Sequence, residues 1–473
     1  MKYRKIDSFI ISELVNICGE KDVLIEKEKM VDYAHDEFIK VSEQTYPEVV
    51  VKPASDKEVS KILSLASENF IPVTVRGSGT GLCGGGVSFC GGIMVSMERM
   101  NRIIEIDEKN FTATVEAGVT LNQLVREVEK HNLFFPPKPG DDYAMIGGMI
   151  ATNAGGSRVV KYGSMRSFVR GVKVVLSDGS LVSCGGKLIK NCAGYSLVNL
   201  FVGSEGTLGI ITEATISLMT HSFESMSIVV PYNSINDAIN SVPEILKGET
   251  LPVAVEFVEL EPILLTEKLI GKEWPVKNGS SQLLIVLDSS CGECLEKQLR
   301  HIEEVCKKNG AVEVYVVENI VKQRELLEIR NNFYESIKSY VEEVLDISVP
   351  PASISEFVNQ IHQIEKEYSV WLPTYGHAAD GNVHTHYMRG KYVNGEILPL
   401  QESEWKEKKD AVVEKIIEVG ISLGGSISGE HGVGVVKRCF MKKMYSERYL
   451  ELLKGVKKVF DPKNILNPQK VID

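Results

Sequence analysis

Apolar residues along this chain change their spacing at a few definite points, and that spacing predicts the elements. From Val49 to about Ser217, short apolar runs alternate with glycine-rich stretches. They predict strands at Val49–Val51, Val73–Val75, Ile93–Val95, Ile103–Ile106 and Ala113–Ala117, because brief runs of Val and Ile suit a pleated backbone. Helical spacing interrupts them near Val59–Ser67 and Leu121–Lys130. Ahead of this region, residues 1–45 read as a helical lead-in, with Leu14, Val15 and Ile17 apolar among charges.

After His221 the texture changes. The pattern predicts a strand at Ile228–Val230, a helix at Ile235–Leu246 and strands at Val253–Leu260 and Leu283–Leu287. A helix at Cys294–Lys308 and a strand at Val312–Val317 follow. That β-α-β-β-α-β order is the ferredoxin-like unit. A helical tract is expected over Leu326–Leu345 and Ile354–Lys366, then a strand pair around Tyr375–Tyr387. Helices at Lys406–Leu423 and Tyr445–Val459 close the chain.

Composition narrows the class. With 473 residues, 43% hydrophobic and 25% charged, the chain can bury two or three cores and is neither disordered nor fibrous. A net charge of -11 without a long basic run argues against nucleic acid or an anionic membrane as main partner. No stretch reaches the roughly 18 to 20 apolar residues needed to span a bilayer. Met1–Ser12 carries no secretory pattern, so the expected compartment is cytoplasmic. The 9 cysteines are scattered and odd in number, so disulfides are not expected. Cys291-Gly-Glu-Cys294 has no second pair to complete a zinc or iron–sulfur site and is read as structural.

Three glycine-dense loops carry the first chemistry. Arg76-Gly77-Ser78-Gly79-Thr80-Gly81 follows a strand, and its glycines can turn backbone N–H groups toward one anion. Leu82-Cys-Gly-Gly-Gly86 comes next and cannot open a stable helix, which speaks against a nicotinamide-type dinucleotide site. The second loop runs from Pro136-Pro-Lys-Pro-Gly140 to Ile146-Gly-Gly-Met-Ile-Ala-Thr-Asn-Ala-Gly-Gly156. The third is Val202-Gly-Ser-Glu-Gly-Thr-Leu-Gly-Ile210. Three such loops fit a long, extended dinucleotide better than coincidental turns.

A second constellation lies in Tyr375-Gly-His-Ala-Ala-Asp-Gly-Asn-Val-His384. Asp380-Gly381 signals a two-residue hairpin turn. A turn centred there sets His377 directly opposite His384, with the two imidazoles able to share a cation. Ser428-Gly-Glu430-His431-Gly offers a third ligand, one of Glu430 and His431 binding metal while the other faces substrate. Two His and a carboxylate suit catalytic zinc or ferrous iron. His386 shares the strand face of His384 and could be a substrate contact, a substitute ligand or a bystander. Arg330 could grip a substrate carboxylate with its planar fork.

With these loops in this order, the chain from about Tyr46 to Lys470 resembles the vanillyl-alcohol-oxidase-type flavoproteins. The likeness is to the branch of D-lactate dehydrogenases, D-2-hydroxyglutarate dehydrogenases and the glycolate oxidase FAD subunit. The resemblance implies an α+β fold with a two-part FAD-binding domain over 46–220 and a ferredoxin-like substrate (cap) domain over 221–425. A segment with C-terminal helices over 426–473 then packs back on the FAD domain. It implies that Arg76 to Gly81 cradle the pyrophosphate. Pro139, Gly140, Gly147, Gly148, Asn153 and Gly156 would line the isoalloxazine and diphosphate, and Gly203, Glu205, Gly206 and Ile210 the adenosine side. Relatives with covalent flavin place a His in the first loop; none stands here, so non-covalent FAD is expected.

Relatives also carry G-H-x-G-D-G-N-x-H and G-E-H-G in the places of His377–His384 and Gly429–Gly432. The resemblance thus implies His377, His384 and Glu430 as ligands of a divalent metal, His431 as base and Arg330 as the carboxylate grip. Ala379 departs from the family glycine, and His386 stands where many relatives have Asn. The Lys that 2-hydroxyglutarate enzymes carry before Asp346-Ile-Ser-Val-Pro350 is replaced by Val344-Leu345, which favours a small substrate, D-lactate first and glycolate next. Electrons are expected to pass to a separate acceptor protein such as an electron-transfer flavoprotein, as in a bifurcating lactate dehydrogenase. The alternatives are a 2-hydroxyglutarate-type enzyme, a metal-dependent hydrolase whose glycine loops bind phosphate, and a non-catalytic FAD electron-transfer subunit.

Overall fold

The computed structural model describes residues 3–38, 45–220 and 224–472. The chain divides into two compact units. One takes residues 1–156, 163–221 and 430–473, and the other 157–162 and 222–429.

The first unit opens with the helix Ser8–Cys18, which starts where the Asp7 carboxylate accepts the Ile10 N–H at 3.0 Å, an N-terminal cap. The rest of the expected helical lead-in is short 3-10 turns and a two-residue strand, and residues 39–44 lie outside the described ones. Strands β1 (Val23–Leu24), β2 (Val49–Val51), β3 (Val73–Arg76) and β4 (Ile93–Ser96) form a sheet in the order β1-β2-β4-β3. The helix Asp56–Asn69 bridges β2 and β3, and its Val59, Ile62, Leu63 and Ala66 are buried, the stripe that helical spacing demands.

There follow β5 (Ile103–Asp107), β6 (Thr112–Glu116), β7 (Leu133–Phe134), β8 (Val169–Val175), β9 (Leu181–Gly185), β10 (Ile210–Ser217) and β11 (Met219–Thr220). They make an antiparallel sheet β5-β6-β10-β8-β9 and a small β11-β7 ribbon. The five strands expected between Val49 and Ala117 are all present within a residue or two.

The second unit is built on one seven-stranded antiparallel sheet. Its strands are β12 (Glu224–Tyr232), β13 (Ala254–Glu259), β14 (Ser281–Ser289), β15 (Tyr315–Val317), β16 (Val341–Ser348), β17 (Thr374–His377) and β18 (Asn382–Met388). The order is β15-β12-β14-β13-β17-β18-β16. The first four are the expected ferredoxin-like unit, with helices Ile235–Ile245 and Gly292–Lys308 as its crossovers. A hairpin of β19 (Gly390–Val393) and β20 (Glu396–Pro399) and the helix Glu402–Ser422 complete it. Leu326, Ile329, Phe333, Val344 and Tyr375 share one hydrophobic cluster with Val229, Val258 and Leu284, which welds helix Ile320–Asn331 to the sheet.

Two expectations are corrected here. The tract Leu326–Leu345 is not one helical run: helices end at Asn331 and Ile337, and Val341–Ser348 is the strand β16, paired with β18 over its whole length. Its Val and Ile residues fill a sheet position that helical spacing mimicked. The gap between β13 and β14 holds a helix, Leu260–Ile270, that the strand-to-strand reading passed over. No helix among the described residues is long and apolar enough to cross a membrane.

Candidate active site

In the second unit the site grows from the β17–β18 hairpin. Its loop is four residues, Ala378 to Gly381, rather than the two expected, because the Gly381 N–H bonds back to His377 O at 3.1 Å while the Ala378 N–H is taken by Val255 O at 2.7 Å. The register therefore shifts: His377 faces Asn382, and Tyr375 faces His384. The two imidazoles are diagonal neighbours on one face instead of direct partners. They are still close, with ring centroids 5.4 Å apart and planes at 89°, and both are buried.

Each imidazole has a buried carboxylate near it. Glu256, across the β13–β17 pair from His377, takes His377 Nδ1 at 2.6 Å on Oε1. Its Oε2 accepts Arg330 Nε at 2.8 Å and Arg330 Nη2 as well. Burial alone would push the Glu256 carboxyl up, but Arg330 and then His377 outweigh it and hold the group below the usual glutamate value. Asp346, fully buried on β16, faces His384, with Oδ1 3.7 Å from His384 Nδ1. Its Oδ2 accepts Ser428 Oγ at 2.9 Å and Gly429 N at 3.0 Å. A Cβ at Gly429 would lie 2.1 Å from Asn382 Oδ1, so another residue there would have to displace that amide.

Arg330 lies over the Tyr375 ring, 5.9 Å from its centroid. His386 stacks on Tyr375 at 5.0 Å, and its two nitrogens meet Pro373 O at 3.2 Å and Tyr375 Oη at 3.3 Å. His386 is buried. A His whose Nδ1–H is committed to a carboxylate keeps its lone pair on Nε2, the usual arrangement of a metal-binding imidazole. The donor set therefore fits a divalent cation such as zinc or ferrous iron.

In the first unit the three glycine loops converge on the helix Ile146–Thr152. Ser78 Oγ donates to Tyr143 O at 2.5 Å, which ties the first loop to the second. The N–H groups of Gly203 and Glu205 donate to Ile150 O at 3.0 Å and Ala151 O at 2.8 Å, which brings in the third. Lys138, beside Pro139 and Gly140, bridges to Gly156. Gly147 packs on Ala117, whereas Gly148 has nothing within 4 Å of where a Cβ would stand.

Arg76 is buried inside its own loop, donating to Gly86 O at 3.2 Å and Asp32 O at 2.7 Å. Asn153, in the left-handed conformation, accepts Ser164 Oγ at 3.0 Å and Arg166 N at 2.9 Å. Glu205 accepts the N–H groups of Val433 and Gly434, each at 2.8 Å. Glu430 accepts the Gly156 N–H at 2.5 Å. Lys470, missed in the sequence, is buried and donates to Gly85 O at 2.7 Å. Burial pushes its ammonium down to about 7 despite Glu205 and Asp36.

The buried Ser204 hydroxyl, in the third loop, has no hydrogen-bond partner among the described residues. With the open space at Gly148, it is what a bound ligand would complete, so the loops fit an extended cofactor.

The comparisons with known proteins agree. Residues 47–185 match the family model described as FAD binding domain, and 224–471 the one described as FAD linked oxidases, C-terminal domain. The solved structure of p-cresol methylhydroxylase with substrate bound superposes with a TM-score of 0.76 at 16% identity, covering 100% of this chain and 99% of that one. The fold is the α+β, vanillyl-alcohol-oxidase type of FAD-binding enzyme. Among curated proteins, a D-lactate dehydrogenase of Archaeoglobus fulgidus is 42% identical over 424 residues, 90% of this chain and 91% of that one. Glycolate oxidase subunit GlcD of Bacillus subtilis is 36% identical over 431 residues, 90% and 89% of the two chains. The chain belongs to the FAD-linked oxidases. It is an FAD-binding oxidoreductase, which removes the hydrolase alternative.

Proposed function

We propose that this protein oxidises a small 2-hydroxy acid, D-lactate before glycolate, to the 2-oxo acid, with non-covalent FAD as hydride acceptor and a divalent cation held by His377, His384 and Glu430. The observation that carries the reading is the pair of buried imidazoles 5.4 Å apart, one of them backed by a carboxylate, in a chain of the FAD-linked oxidase family. The relatives' names supply the substrate class.

Bound FAD supplies the two-electron acceptor, and a bound cation supplies Lewis acidity that makes the substrate hydroxyl more acidic. The protein's own groups do the rest. His431 takes the hydroxyl proton as general base. Arg330, fixed by Glu256 and the Tyr375 ring, orients the carboxylate. Ser428 and Gly429 are bonded to Asp346, the cross-strand partner of His384. Val344, two residues before Asp346 and on the same strand face, is buried with Tyr375; this apolar neighbour suits a methyl group better than a second carboxylate.

In this reading 46–220 and 426–473 serve the flavin, 221–425 the substrate, and a separate protein such as an electron-transfer flavoprotein receives the electrons. The test is anaerobic titration of the yellow protein with D-lactate, L-lactate, glycolate and D-2-hydroxyglutarate, before and after chelation. D-lactate is expected to bleach the flavin only while the cation is bound. A flavin that no 2-hydroxy acid reduces would leave an electron-transfer subunit as the better reading.

A further inference from the structure

We propose that Glu256 is a positioning residue that sets His377 and Arg330 together, one carboxylate orienting both the cation's imidazole and the substrate's guanidinium. The inference rests on His377 being a cation ligand. Glu256 is the one charge in the run Ala254-Val-Glu-Phe-Val258 of β13 and is 3% exposed. A buried carboxylate is costly unless it is paired and hydrogen-bonded, and this one divides its oxygens between two partners. Oε1 takes His377 Nδ1 at 2.6 Å, and Oε2 takes Arg330 Nε at 2.8 Å together with Nη2.

On the imidazole side, accepting from Nδ1 holds the tautomer whose lone pair is on Nε2, and the negative charge makes that nitrogen a stronger donor to a cation. On the guanidinium side, a carboxylate on the Nε edge locks the plane of the fork. The Tyr375 face at 5.9 Å limits its tilt. The geometry of the cation's ligand and of the substrate's grip then cannot vary independently. A pair serving only to hold helix Ile320–Asn331 on the sheet would need Arg330 alone; the second oxygen on His377 is what such a role leaves unexplained.

The test uses the FAD-loaded protein, stripped with a chelator and titrated with Co2+ against a chromophoric competitor, in wild type, Glu256→Gln, Glu256→Asp and His377→Ala. Loss of a carboxylate behind a ligating histidine typically costs about 10- to 100-fold in metal affinity. That weakening is expected for Glu256→Gln, with the flavin spectrum unchanged, and a smaller one for Glu256→Asp, which keeps the charge on a shorter arm. Pyruvate binding, read from the flavin difference spectrum, is expected to weaken in Glu256→Gln as well. If Glu256→Gln does not fold, Glu256→Asp decides: weaker Co2+ binding supports the proposal and unchanged binding overturns it. Glu256→Gln binding Co2+ as tightly as a wild type that itself depends on His377 overturns this inference alone. A wild type that takes up no Co2+, or a His377→Ala that binds it equally well, overturns the cation reading and this inference with it.

Discussion

Asp346 and His384 stand directly opposite one another on β16 and β18, the carboxylate 3.7 Å from the imidazole Nδ1 and its other oxygen holding Ser428 and Gly429. One buried acid thus stands beside a candidate ligand and holds the turn leading to Glu430. Asp346→Ala takes the carboxylate from the Ser428 hydroxyl and leaves the Gly429 N–H its bond to the Asp346 backbone carbonyl at 3.1 Å, and a hydrogen bond to a charged group is worth about 1.5 to 3 kcal/mol. A loss of roughly 1.5 to 3 kcal/mol in urea unfolding is expected on the same grounds. Asp346→Asn, which keeps the shape, is expected to lose less stability but still to bind cation more weakly.

His431→Gln is expected to keep its FAD and lower the rate of flavin bleaching by D-lactate at least about 100-fold, the scale of a lost general base. Stopped-flow absorbance under anaerobic conditions reads it. An unchanged rate would take the proton-abstracting role away from His431.

Gly156 has φ +99, and a Cβ there would lie 2.1 Å from Lys138 O. The clash is with backbone and cannot be relieved by a side-chain turn, so Gly156→Ala is expected to distort the second loop and lower the flavin-to-protein absorbance ratio. Gly455, inside helix Glu447–Phe460 with nothing within 4 Å, is the contrast. Gly455→Ala should retain FAD and raise stability by about 0.5 to 1 kcal/mol.

Lys470 gives a pH signature in the flavin-free protein. Burial lowers its ammonium from 10.5 to about 7, so between those values the unfolded chain holds a proton that the folded one has released. Stability from this group therefore rises with pH across that window, by up to about 1.4 kcal/mol per pH unit, and levels off below about 7, where both states hold the proton. The stability of wild type minus that of Lys470→Met, from urea midpoints at pH 7 and pH 9, is expected to grow. A flat difference would mean that Lys470 titrates normally.

Much of the fold was legible because it is written in local periodicity. The strands from Val49 to Ala117, the ferredoxin-like order and the closing helices all show the two spacings that strands and helices require. The failures are as local in origin. Val341–Ser348 places apolar residues where a continuing helix would also want them, and only its pairing with β18 made it a strand. The Asp380-Gly381 signal for a tight turn was real, but the Ala378 N–H was claimed by Val255 on β13, a strand more than a hundred residues earlier, and the loop widened.

The candidate site divides in the same way. His377, His384, Glu430, His431 and Arg330 could be named because imidazoles, carboxylates and guanidinium groups in short glycine-flanked motifs are conspicuous in one dimension. Glu256 and Asp346 were harder, because each shares its strand with other acids, Glu259 on β13 and Glu342 and Glu343 on β16, and the sequence does not mark which of them is buried and paired. The amino-acid order by itself determined most of the elements, which loops are rich enough in glycine to approach an anion and which side chains offer donor atoms for a cation. Only the tertiary structure decided the hairpin register, the burial of His386 and which carboxylate lies near each imidazole. Those follow from strand order in the seven-stranded sheet, where residues far apart in the chain compete for the same hydrogen bonds and the same buried space.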